Sequence, residues 1–123
     1  MQNLIQNGNR ITWTNGTGTA VAAGDPVVVV GQIGVACVDI AAGASGALAM
    51  TGVYELPKTA GAAIAQGEAA LFDISAAAFV PAVTVAAAGD ISGACVAWEA
   101  AASASTVVQV KINVAIGTVE AGA

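Results

Sequence analysis

Turn signals recur along this chain roughly every 8–12 residues, the spacing expected of many short strands. Asn15-Gly16 closes the alternating segment Arg10–Thr14 (RITWT), and Asn-Gly is a strong hairpin signal. Ala23-Gly24-Asp25-Pro26 forms a second turn, followed by Val27–Val30; a run of β-branched residues favours strand over helix. Ile33–Val38 resumes after Gly31, Ala41–Gly46 reads as a small-residue loop, and Ala47–Leu56 (ALAMTGVYEL) reads as one longer strand closed by Pro57. Ala69–Asp73, Ile91–Trp98 and Thr106–Val114 complete the set. The last alternates most clearly, with Val108, Val110, Ile112 and Val114 on one face and Gln109, Lys111 and Asn113 on the other. Alanine is a strong helix former, so Ala60–Ala65 or Ala76–Ala78 could form a helical turn, but glycines and β-branched residues interrupt anything longer. The expected fold is all-β, a small β-barrel or β-sandwich with at most one short helix.

The chain also reads as internally duplicated. IGVACVDIAAGAS (Ile33–Ser45) resembles ISGACVAWEAAAS (Ile91–Ser103), which places Cys37 and Cys95 in register. Upstream lie VAAGDPVVVV (Val21–Val30) and IAQGEAALFD (Ile64–Asp73), and downstream the strands Ala47–Leu56 and Thr106–Val114. Spacing differs between the halves, so the second copy carries an insertion around Ser75–Ala88. A β-turn-β unit used twice to close one barrel or sandwich is the simplest account.

Charge narrows the function. Apolar residues make up 57% of the 123, but aromatics only 4% and charged residues only 9%, against about 25% charged in an ordinary globular protein. A monomer so poor in charge has little polar surface to present, so much of its surface is expected to contact protein. The mean hydropathy of +0.80 raises the question of a membrane. The uncharged stretches Pro26–Val38, Ile40–Tyr54 and Ile74–Gly89 each fall short of the roughly 18 residues a spanning helix needs. The polar start MQNLIQNGNR lacks the order of a signal peptide, so synthesis in the cytoplasm is expected. Three basic residues, Arg10, Lys58 and Lys111, set against eight acids, cannot form a phosphate-binding footprint.

Chemistry finds no foothold. The chain has no His, the commonest general base and metal ligand. Asp25, Asp39, Glu55, Glu68, Asp73, Asp90, Glu99 and Glu120 are dispersed, and Asp25, Glu68 and Asp90 each follow a glycine, as turn acids do. No Ser sits in GxSxG, and Gly43–Ala47 (GASGA) has no His partner. Lys58-Thr59 follows Pro57 rather than a glycine-rich loop. Cys37 and Cys95 lie in small apolar contexts without CxxC; buried thiols and a disulfide are the open alternatives. No enzyme activity, metal or cofactor is expected.

The organisation expected is an N-terminal arm (residues 1–9), a single β domain (10–116) and a C-terminal tail (117–123). The arm is rich in amides, with the apolar pair Leu4-Ile5 at its centre. Gln2, Asn3, Leu4, Ile5 and Gln6, together with Trp13, are the candidate interface residues. An exposed Leu-Ile pair suits strand addition to a partner's sheet edge; the alternative is the first strand of the chain's own sheet. Trp13 and Trp98 are the two large anchors, expected in core or interface packing rather than as a stacking platform.

Four segments, NLIQNGNRITWT (Asn3–Thr14), AAGDPVVVVGQIGVA (Ala22–Ala36), TGVYELPKTAGAAIAQGEAALFD (Thr51–Asp73) and GACVAWEAAASASTVVQVKI (Gly93–Ile112), resemble a family of small phage proteins read as capsid cement, or head decoration, proteins. GVYELPK followed by IAQGE is the most specific part; the rest is generic, and this chain is unusually rich in Ala and poor in charge. The resemblance implies a β subunit on the outside of a phage head, clamping the major capsid protein lattice, commonly as a homotrimer; the scarcity of basic residues and the short uncharged stretches lead us to expect neither nucleic acid nor membrane as partner. The alternative is another self-assembling structural protein, such as a head spike, tail component or surface-layer subunit.

Overall fold

The computed structural model describes residues 8–82 and 86–121. Ten strands run through it: β1 (Arg10–Thr14), β2 (Pro26–Val29), β3 (Gln32–Ala36), β4 (Ser45–Ala49), β5 (Val53–Pro57), β6 (Ala69–Asp73), β7 (Ala78–Pro81), β8 (Ile91–Ala97), β9 (Val107–Lys111) and β10 (Thr118–Val119). No helix occurs among the described residues, as the β-branched runs and turn spacing require. Four strands pair in the order β1-β4-β3-β2, and a second sheet has the order β5-β9-β8-β6-β7, with β10 on β8. Every strand-to-strand ladder is antiparallel, and one isolated bridge, Lys58 to Phe79, is parallel.

The two sheets are two copies of one unit. Arg10 pairs with Ala49 as Val53 pairs with Lys111. Pro26 pairs with Val35 as Ala69 pairs with Val96, and Ala36 with Leu48 as Ala97 with Val110. The loops repeat too: Val21 bridges Ile40, and Ile64 bridges Ala101. Even the buried polar residue between the first strand and its loop recurs. Asn15 donates through Nδ2 to the carbonyls of Thr19 and Ile40, and Lys58 donates through Nζ to those of Thr59 and Ser105.

This register corrects the sequence alignment. Ala36 matches Ala97, so Cys37 matches Trp98 and Cys95 matches Gly34; the two cysteines are not equivalent positions. Cys37 N–H donates to Ala47 O as Trp98 N–H donates to Gln109 O. The run Ala47–Leu56 is also two strands, β4 and β5, in different sheets. It breaks at Gly52, whose φ of 118° only a glycine adopts without cost. The closing strand ends at Lys111, and Asn113 turns the chain with φ 56°, so Val114 leaves the buried face and is half exposed. Thr118–Val119, within the segment read as a tail, pairs with β8.

The turns that launch strands share one design. In Ala22–Asp25, Ala65–Glu68 and Ala87–Asp90 the third residue is a glycine with φ near +90°, as a type II turn requires. In each, the fourth residue returns its N–H to the carbonyl of the first and accepts the first residue's N–H on its carboxylate. The turn acids read from sequence therefore hold turns together.

One large core joins the halves. It gathers Leu56, Ile64, Phe72, Phe79, Val110 and Ile112 of the second half with Ile33, Val35 and Ala49 of the first. A smaller core, Val27, Ala36, Ile40, Leu48 and Met50, belongs to the first half, with Trp13, Val21 and Val29 packed against it. Asn113 fastens the halves: its Oδ1 accepts from Ile33 N–H (2.9 Å), and its Nδ2 donates to Ile33 O (2.8 Å) and Met50 O (2.9 Å).

Candidate assembly surface

Several acidic side chains hold the backbone in place. Besides its own turn, Glu68 accepts from Ala82 N–H and Asp90 from Ile74 N–H; Asp39 accepts from Ala23 N–H and Asp73 from Ser75. Among the described residues, no three His, Cys, Asp or Glu groups gather as a metal site would need. Both cysteines are free. Cys95 is buried, and burial pushes its thiol up to about 11 against a small opposing effect of the Asn113 backbone. Burial thus favours the neutral thiol over the thiolate, the nucleophilic form.

Several large apolar side chains are exposed. Val30, at the β2–β3 hairpin tip, is 81% exposed with φ 55°, a conformation that costs a β-branched residue about 1–2 kcal/mol. Ile116 is 79% exposed beside it, because Gly117 N–H donates to Gly31 O at 2.8 Å. Val53 and Val107 are also partly exposed, as is Trp98. Lys111 Nζ lies 5.2 Å from the Trp98 ring centroid, a cation–π distance.

Of the candidate interface residues, Trp13 is half buried on β1, against the smaller core. It lines an apolar recess with Val21, Val27, Phe72, Ile74 and Ala77. Gln2, Asn3, Leu4, Ile5 and Gln6 lie outside the described residues. Sequence reasoning did not find the Val30–Ile116 tip. The exposed Val30-Gly31 step was its one signal, since the contact with Ile116 spans most of the chain.

Residues 5–112 match the family described as phage cement protein. The chain belongs to the phage cement protein family. The match takes in β1 to β9, and so both copies of the repeated unit. No curated protein and no solved structure matches the chain. A cement protein is a structural component of a phage, and that fits acidic side chains spent on turns and large apolar side chains left exposed. No helix among the described residues is long and apolar enough to cross a membrane.

Proposed function

We propose that this cement protein binds the outside of the phage head and stabilises the major capsid protein lattice, as a homotrimer and without catalysis. Membership of the cement family carries the reading. The surface supports it. Val30 and Ile116 project from the fold with no charged residue between Val27 and Ala36 or between Ile112 and Val119, as suits a protein partner. Of the three cations, Lys58 is buried and Lys111 lies over Trp98, which leaves Arg10 alone for a phosphate and argues against a nucleic-acid partner. No membrane partner is invoked.

The mechanism is mass action. A ligand that binds only the assembled lattice stabilises it, by about 2.7 kcal/mol per site at a free concentration 100 times Kd. Residues 1–9 serve as an interface arm, and Trp13 belongs to the same interface. Mass spectrometry of purified virions should find this chain at a copy number comparable with the major capsid protein. Its absence from virions would refute the proposal.

A further inference from the structure

Among the described residues, the sheet of the second copy carries two strands that the first lacks, β10 on β8 and β7 at its edge, and β7 is the one that closes it. In the second copy, β7 pairs antiparallel with β6 and meets the end of β5 through a parallel bridge between Phe79 and Lys58, where Thr59 N–H donates to Phe79 O at 3.1 Å. β7 thus closes the gap between β6 and β5. Phe79 is fully buried and packs edge-on to Phe72, with ring centroids 5.1 Å apart. Beneath it Leu56, Ile64 and Phe72 are at most 2% exposed.

The first copy, among the described residues, has no such strand. Among the described residues, nothing pairs with the outer edges of β1 and β2. The positions matching Leu56, Ile64 and Phe72 are Trp13, Val21 and Val29, and all three are only half buried. The recess lined by Trp13 and Val21 lies where β7 would lie, with Ile74 and Ala77 of the β6–β7 turn as its far wall, and holds about 340 Å³. Its lining carries no charge. The chain thus shows, in its second copy, what fills such a gap: a short extended apolar segment, antiparallel to the strand matching β2 and parallel to the strand matching β1.

We propose that the slot between β1 and β2 receives residues 1–7 of a second copy of this chain, with Leu4 or Ile5 taking the place that Phe79 takes in the other half. The segment is uncharged and centred on two aliphatic residues, as the slot requires. Direction selects a second copy over the chain's own arm. Only Gly8 and Asn9 separate the segment from β1, so within one chain it can only fold back antiparallel to β1. A parallel connection takes a dozen or more residues. The exchange rests on the homo-oligomer part of the reading above and assigns the arm to a sister subunit rather than to the capsid.

The test needs no capsid, so its failure is distinguishable from failure of capsid binding. In a Trp98→Phe background the remaining tryptophan, Trp13, reports on the slot. Its emission should shift to the blue as concentration rises, in step with association seen by sedimentation equilibrium. The double substitution Leu4→Asp/Ile5→Asp should weaken association at least about tenfold and abolish the shift, with the melting temperature of the dilute chain unchanged. A synthetic peptide of residues 1–9, added in excess to that variant, should restore the shift. Undiminished association of the variant, a peptide that leaves Trp13 unmoved, or a lowered melting temperature at high dilution would each overturn the proposal. A blue shift with strand peptides of the major capsid protein but not with residues 1–9 would assign the slot to the capsid, and would overturn it too.

Discussion

Phe79→Ala should destabilise the cement protein by about 3–5 kcal/mol. Phe79 is fully buried, stacks edge-on against Phe72, and sits on the strand that closes the second half. Removing its ring leaves a cavity that Leu56 and Ile64 cannot fill by collapse, because strand pairing holds β6 and β7 in place. A domain of this size loses roughly 3–6 °C per kcal/mol, so the melting temperature should fall by about 10 °C or more. Phe79 has no counterpart among the described residues of the first half, so Val29, which matches its ring partner Phe72, gives the contrast. Val29→Ala removes a half-buried side chain on the edge strand β2, packed against the smaller core, and it should cost only about 1 kcal/mol in the dilute chain. Thermal melts of both variants check the pair. Equal losses would mean that β7 does not distinguish the halves.

Asn113→Ala should cost about 2–4 kcal/mol, the second largest loss expected. The side chain makes three hydrogen bonds from β9's end to Ile33 and Met50, and these span the two copies. Alanine leaves the Ile33 N–H and two carbonyls without that partner in a partly buried seam. It must also hold φ near 56°, which costs a non-glycine residue about 1–2 kcal/mol. Asn113→Gly separates the two effects: it keeps the backbone freedom and loses the bonds, so it should recover about 1 kcal/mol of the loss. A denaturant melt within about 0.5 kcal/mol of the parent for both variants would show that the Asn113 bonds do not fasten the halves.

Much of this architecture was legible in the sequence, for physical reasons. Glycine at the third turn position and an acid at the fourth are demanded by backbone sign and by the orphan N–H of the first residue. The turns before β2 and β6 could therefore be read directly, and the copies that they launch with them. The alternation of Val108 and Val110 with Gln109 and Lys111 gave β9 its faces. The register between copies was misread because small residues carry little pattern. GVACV and GACVA align equally well by eye on the cysteines, whereas strand pairing places Cys37 opposite Trp98's position. β7 was taken for part of an insertion because AFVP is short and ends in proline, and Ala76–Ala78 suggested a helical turn. Only its pairing with β6, which buries Phe79 edge-on against Phe72, reveals it as a strand. The slot between β1 and β2 could not be read at all, since no residue of the sequence marks the place of a strand absent among the described residues.

The central claim is that this chain holds an assembled head together, and sedimentation with empty heads of the phage that encodes it tests that claim most directly. Purified chain should be retained saturably on expanded heads and not on unexpanded ones, and loaded heads should rupture at a higher temperature than bare ones. Equal retention on both forms, or none on expanded heads, would contradict it.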